Sequence, residues 1–242
     1  MTNVNDHSTD FDAIVIGAGF AGLSLTHYLR EAGLSLRVFD RASDIGGTWT
    51  WNRYPGAMTD SESYYFCLSF SKELLQEWSW TQRYPDWKET HSYMHFVADK
   101  CDMWPHIQLN TEIVSADYQT DSGHWLVTTG DGETYTCKYF ISGMGMISEH
   151  VIPNIKGMDS FNGSLFHSAR WPEELDYEGK RVGIIGAGAT TVQMLPEVAK
   201  DAASVTVFQR TPNFVLPAMQ KPMTAEWEKE INLLDIRLSG KF

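Results

Sequence analysis

Gly17, Gly19 and Gly22 stand in a G-x-G-x-x-G spacing, and Gly186 and Gly188 begin the same spacing again. Such a loop brings backbone N–H groups to a helix N-terminus, where aligned peptide dipoles favour a pyrophosphate. Gly17 permits the tight turn, Gly19 the close approach of phosphate, and Gly22 the packing of helix on strand. Asp40 closes the next apolar run, where a carboxylate can accept hydrogen bonds from ribose hydroxyls. Two such sites on one chain imply two nucleotides, an electron donor and an electron acceptor.

These residues need elements to hold them. Ala13–Ile16 is a short apolar run, as expected of a strand covered on both faces. Residues 21–32 are helix-compatible, with Leu23, Leu25, Tyr28 and Leu29 available for packing, and Gly33 is a stop signal. Leu36–Phe39 is the second strand, so the first glycine loop lies inside a complete β-α-β unit. That framing makes a weak motif specific. The second loop has a strand over residues 180–185, a helix over Ala189–Ala199 and a strand over Ser204–Phe208. Its third glycine position holds Thr191, whose extra atoms should keep helix and strand farther apart. No acid follows the last strand; Gln209, Arg210 and Thr211 stand there. A carboxylate would repel a ribose 2′-phosphate, whereas an arginine grips it with charge-assisted hydrogen bonds. That contact contributes about 1.5–3 kcal/mol and selects NADPH over NADH. Gly186, Gly188, Thr190, Arg210 and Thr211 are therefore the expected NADP contacts.

The stretch from Gly46 to Asp60 is dense in glycine and aromatic residues and too irregular for a helix or strand. It is suited to wrapping a large flat ring, with Gly47, Thr48 and Trp49 nearest the first nucleotide. Trp49 and Trp51 could equally be core residues, and Asp60 could cap a helix starting at Ser61. The aromatic-rich middle of the chain, Tyr64 to Trp104, reads as packing. Trp125–Thr129 and Tyr135–Ile141 flank Gly130-Asp131-Gly132, a hairpin signal. Near the end, Thr224 can cap a helix whose stripe of Trp227, Ile231, Leu234 and Leu238 needs a cover.

Composition excludes several classes. A formal charge of −12 argues against nucleic acid and anionic membrane surfaces. No apolar run approaches the roughly 18 residues of a membrane-spanning helix. The polar start, Met1 to Asp10, does not show the basic-then-apolar pattern expected of a secretion signal. Three scattered cysteines give neither a disulfide framework nor metal spacing, so a cytoplasmic setting is expected and no metal.

Gly46, Gly47, Trp49, Tyr54, Pro55, Gly56 and Asp60 together resemble the long fingerprint of type I Baeyer–Villiger monooxygenases. Phe161, Gly163, His167 and Trp171 resemble the same family's shorter signature, and Gln209–Asn213 its NADP-binding segment. The related N-oxygenating flavin monooxygenases usually end the shorter run with a different aromatic. Gly143-Met144-Gly145 departs mildly from the Ala-Thr-Gly that the family favours.

The resemblance implies an α/β protein with two Rossmann-like dinucleotide-binding domains. Residues 1–10 would be a flexible tail, 11–152 an FAD domain with a small β insertion, 153–178 a linker, and 179–242 an incomplete NADP domain. FAD would be held by Gly17, Gly19, Gly22, Asp40, Gly47, Thr48, Trp49 and Asp60. Phe161, Gly163, His167 and Trp171 would couple domain motion to catalysis. The implied reaction uses FAD, NADPH and O2 to insert one oxygen atom beside a ketone carbonyl, giving an ester or lactone. Asp60 matches the aspartate that orients a catalytic arginine. That arginine would come from outside this chain, so the chain is expected to be half of a split enzyme, completed by a second polypeptide carrying the C-terminal half, or a truncated one, with little turnover alone. Oxygenation of N or S atoms and a non-catalytic nucleotide-binding subunit are the alternatives.

Overall fold

The computed structural model describes residues 8–233. They fall into two compact units: the chain up to Thr50 with His91–Ser148, and Trp51–Thr90 with the residues from Glu149 onward.

The first unit is built on β1 (Phe11–Ile16), β2 (Leu36–Phe39), β3 (Ile107–Gln108), β4 (Ile113–Gln119), β5 (His124–Thr129) and β6 (Thr134–Ser142). They form one six-stranded sheet in the order β3-β2-β1-β6-β5-β4. β1 pairs in parallel with β2 and with β6, and β2 with β3, while β5 runs antiparallel to both β4 and β6. Ala13, Ile14 and Val15 of β1 are fully buried, as a central strand covered on both faces requires. The hairpin seen in the sequence thus continues the nucleotide sheet, because long β6 pairs with β5 on one edge and β1 on the other.

Helix α1 (Phe20–Glu31) follows the first glycine turn and buries Gly22, Leu23 and Thr26. It ends in paired backbone bonds, Gly33 N–H to Arg30 O and Leu34 N–H to Leu29 O, with Gly33 at φ +75°. That is the Schellman closure its glycine allows. A one-turn helix, α2 (Thr48–Trp51), interrupts the stretch expected to be wholly irregular. The Thr50 hydroxyl stabilises it by donating to Ile45 O at 2.6 Å.

In the second unit, α3 (Lys72–Glu77) is capped by Ser71, whose hydroxyl accepts from Leu74 N–H. Helix α4 (Trp87–Lys100) starts here and runs on into the first unit. The second glycine turn lies between β7 (Arg181–Ile185) and α5 (Ala189–Asp201), and β8 (Ser204–Phe208) pairs in parallel with β7. Ile184, Met194 and Val198 form a core with Tyr54 and Ala57, flanked by Trp87, Trp171 and Tyr177. Among the described residues the β7–β8 sheet has two strands, and Ile185, Phe208, Phe214 and Leu216 stay exposed. Helix α6 (Ala225–Leu233) is capped by Thr224, whose hydroxyl accepts from Trp227 N–H at 3.2 Å. Ile231 of its stripe is buried, whereas Leu234 and Leu238 lie outside the described residues. Residues 1–7 of the expected tail lie outside them too; Asp10 exchanges hydrogen bonds with Thr136 across 2.7–3.1 Å.

Two glycines at positive φ separate backbone conformation from packing. A Cβ on Gly33 would meet nothing within 4 Å, whereas one on Gly56, at φ +77°, would run into the Gln193 carbonyl of α5. Gly33→Ala should therefore cost about 1–2 kcal/mol, the price of the left-handed conformation alone. Gly56→Ala should cost clearly more. Urea unfolding of the two variants checks the order, and equal losses would remove Gly56 from the α5 contact.

Candidate nucleotide sites and the signature loop

The first glycine turn leaves no room for side chains. A Cβ on Gly22 would overlap the Gly17 carbonyl, and one on Gly17 would stand 2.6 Å from Gly143 O. Gly17 has φ +100°, which L side chains rarely adopt. Gly19 faces Gly47 across the turn, where a Cβ would meet the Gly47 Cα at 3.5 Å. This cradle at the start of α1 fits a pyrophosphate, because α1 has no side-chain cap to satisfy its first N–H groups.

Asp40 is nearly buried at the end of β2. Its Oδ2 accepts from Ala18 N–H at 2.7 Å and its Oδ1 from Ala42 N–H at 2.8 Å. Its first task is thus to fasten the glycine turn to the strand end. An ionised carboxylate has about four acceptor positions, so two remain for hydroxyl donors.

Gly46 and Gly47 both take positive φ. A Cβ on Gly46 would press on the Thr50 hydroxyl and on the His91 ring at 2.7 Å. The residue before Gly46 is anchored as well, since Ile45 O lies 3.0 Å from His91 Nε2. Thr48 and Trp49 open α2 directly after the glycines.

Beyond Thr50 the signature belongs to the second unit. Tyr54 and Ala57 are buried against α5, and Gln193 of that helix holds the loop at four points. Gln193 Oε1 accepts from the Tyr54 hydroxyl at 2.8 Å and from Met58 N–H at 3.4 Å. Its Nε2 donates to Met58 O at 3.0 Å and to Asp60 Oδ1 at 2.7 Å. Two acceptors at Nε2 and two donors at Oε1 fix the amide's orientation. Asp60 does not cap a helix: the nearest turn, Ser63–Phe66, has Glu62 at its N-cap position. Burial raises the pKa of the Tyr54 phenol, partly offset by a hydrogen bond with Thr190. Thr190, expected at the second nucleotide, is thus also a neighbour of Tyr54.

The second turn is more open. Gly186 has φ +113°, and a Cβ on Gly186 or Gly188 would meet nothing within 4 Å. Thr191 is buried in the third position, its hydroxyl donating to Gly186 O at 3.1 Å. Helix and turn stand far enough apart to hold that side chain, unlike at Gly22. Arg210 and Thr211 are exposed just past β8. The chain then folds back on the glycine turn, with Asn213 Nδ2 donating to Ala187 O.

In the shorter signature, Phe161 lays its ring against Gly163, where a Cβ would lie 2.6 Å from it. His167 Nδ1 accepts from Ala169 N–H at 3.1 Å and so caps the short turn Ser168–Arg170. Trp171 packs edge-on against Phe166 and Tyr177, and Arg170 stacks 4.0 Å above the Trp51 ring. The spacing of the shorter signature is thus explained locally, by a ring on a glycine, a cap and an anchor. His150 lies with its ring 5.0 Å from that of His167, and its buried Nδ1 has no hydrogen-bond partner among the described residues.

The sequence did not single out Gln193 or the group of Asp44, His91 and His95. The pair spacing of His91 and His95, which places both on one helical face, was the available signal.

The profile of the flavin-binding monooxygenase-like family matches residues 12–226. The chain belongs to that family. It is 47% identical over 221 residues to a Baeyer-Villiger monooxygenase of Pseudooceanicola batsensis, covering 91% of this chain and 41% of that protein. It is 44% identical over 228 residues to the phenazine N-monooxygenase PhzNO1 of Lysobacter antibioticus, covering 94% and 42%. The crystal structure of cyclohexanone monooxygenase from Rhodococcus sp. Phi1 bound to NADP+ superposes with a TM-score of 0.88 at 41% identity, covering 92% of this chain and 42% of that one. The chain thus spans about two-fifths of the length of these family members. No helix among the described residues is long and apolar enough to cross a membrane.

Burial, then the neighbouring charges of His150 and Arg170, lowers the pKa of His167. The unfolded chain, with a value near 6.5, therefore takes up the proton first as pH falls. Stability should be full above about pH 6.5 and decline below it. Burial also lowers His106, so His167→Gln should make the decline shallower without abolishing it. Thermal midpoints measured across pH 7.5 to 5 check this; an unchanged slope would place the His167 proton outside the folding equilibrium.

Proposed function

We propose that the protein is an FAD- and NADPH-dependent monooxygenase of the Baeyer–Villiger type. It inserts one oxygen atom of O2 beside a ketone carbonyl to give an ester or lactone. The observation that carries this reading is the clamp of Tyr54, Met58 and Asp60 by Gln193 of the helix that opens the second glycine turn. Within the second unit, the part of the flavin signature from Tyr54 to Asp60 is thus docked on the helix that follows the nicotinamide fingerprint. The similarity to the Pseudooceanicola protein supports the same reaction class.

When bound, FAD supplies the redox and oxygen-activating chemistry. Gly17, Gly19 and Gly22 shape the pyrophosphate cradle, and Asp40 offers its remaining lone pairs to the ribose. Gly47, Thr48 and Trp49 line the same nucleotide. Gly186, Gly188 and Thr190 serve NADPH, with Arg210 and Thr211 on its 2′-phosphate. Asp60, fixed by Gln193, keeps one carboxylate oxygen to orient an arginine that lies outside residues 1–242. Phe161, Gly163, His167 and Trp171 form the hinge between an FAD domain, residues 11–152, and an NADP domain from 179. The C-terminal half, carried by a second polypeptide or lacking from a truncated chain, covers in the whole enzyme the apolar residues Ile185, Phe208, Phe214 and Leu216, which stay exposed among the described residues. The setting is cytoplasmic.

A second reading, oxygenation of an aromatic nitrogen, is favoured by the 44% identity to the phenazine N-monooxygenase. Trp171 at the end of the shorter signature favours the ketone.

The chain should purify with bound FAD, and Gly22→Ala should purify colourless. Alone, it should give no ester. Together with a C-terminal half it should consume NADPH and convert a cyclic ketone to its lactone. Lactone formation by the chain alone would remove the need for a second polypeptide. An N-oxide from phenazine with no lactone would establish the second reading. In the active enzyme, Arg210→Ala should reduce the preference for NADPH over NADH about 10- to 100-fold, the loss of one charge-assisted contact; steady-state kinetics with both cofactors measures it.

A further inference from the structure

We propose that Asp44, His91 and His95 form a binding site for one divalent transition-metal ion of the class that includes Zn²⁺. His91 and His95 stand one turn apart on α4, so both imidazoles leave the same face of the helix. Asp44 lies in the loop after β2 and points its carboxylate at both. His91 Nε2 is 3.3 Å from Asp44 Oδ2, and His95 Nε2 is 3.0 Å from Oδ1. One ligand atom from each residue falls within 4.8 Å of the others. Ligands about 2.1 Å from a tetrahedral Zn²⁺ stand roughly 3.4 Å apart, so a small rotation of one imidazole completes the set. Two histidines and one carboxylate are a ligand set for zinc and for other borderline divalent ions, with remaining positions for solvent.

The surroundings fit this use. Asp44 Oδ1 also accepts from Ile45 N–H at 2.8 Å, which fixes the carboxylate's orientation. The His95 ring leans on Trp104, whose indole N–H is held by Asp99 at 2.6 Å. Such outer contacts orient metal ligands and support their affinity. His91 can release its contact with Ile45 O at little cost, because the Thr50 hydroxyl already donates to that carbonyl. All three side chains are partly buried, with 15%, 34% and 31% exposure for His91, His95 and Asp44. A bound ion would tie α4 to the loop that carries Gly46 and Gly47. The site's ligand set is separate from the residues assigned to FAD and NADPH, so it does not depend on that assignment.

The test is a competition titration of the chelator-stripped 242-residue chain with Zn²⁺ against a chromogenic chelator, which needs no turnover. One equivalent of Zn²⁺ should bind. His91→Gln, His95→Gln and Asp44→Asn should each weaken binding at least tenfold while keeping the far-UV circular dichroism of the parent. His124→Gln, on β5, should leave it unchanged. Co²⁺ in place of Zn²⁺ should give d–d absorption that His95→Gln abolishes. Absence of Zn²⁺ uptake by the parent protein would overturn the proposal. So would an affinity that none of the three substitutions changes.

Discussion

The carbonyl of Gly17 lies where any side chain at Gly22 would have to stand. This single close approach sets the spacing between α1 and β1, and much of the first unit follows from it. With the helix this near, the turn lies flush against the end of β6, where Gly143 O is 2.6 Å from a Cβ on Gly17. The first N–H groups of α1 then open outward without a side-chain cap. Asp40 closes the arrangement from β2 by holding Ala18 N–H at 2.7 Å. Strand, turn, helix and acid are one construction, and the loss of any atom-sized gap in it would be felt by all.

The second turn shows what happens when that constraint is relaxed. Thr191 occupies the third position, is buried, and returns a hydrogen bond to Gly186 O. The helix gains a side-chain contact and gives up closeness. The tight contact of α5 lies elsewhere, at Gly56, whose missing Cβ lets the signature loop touch the backbone of Gln193. Glycine is thus used twice for the same purpose, once within a fingerprint and once between a loop and a helix.

Much of this was legible in the sequence. β2 and β8 have the bounds that their apolar runs implied, β7 begins one residue later than expected, at Arg181, and the strands about Gly130–Gly132 form the expected hairpin. Those elements are encoded by local pattern, with buried runs bounded by turn residues. β4 was not anticipated, because its alternation is weak and its outer edge is exposed. The turn Thr48–Trp51 was hidden because glycines and aromatics argue against a helix, while the Thr50 hydroxyl bond that supports it is a tertiary-like detail. Gln193 was invisible for a different reason. Nothing in the sequence links it to Tyr54, Met58 and Asp60, more than a hundred residues away, until α5 turns its face to the loop.

The two acids singled out at the start, Asp40 and Asp60, illustrate what the pattern could not supply. Each is engaged by the protein before any ligand is considered, Asp40 by two backbone N–H groups and Asp60 by an amide. A carboxylate fixed in this way keeps its orientation, which is what the roles proposed for the two, receiving a ribose hydroxyl and steering an arginine, require. Of about four acceptor positions, Asp40 uses two for its own placement and Asp60 one. A motif records which residue type stands at a site. The donors that hold it there come from Ala18, Ala42 and Gln193, two backbone amides and a helical glutamine that carry no signature of their own.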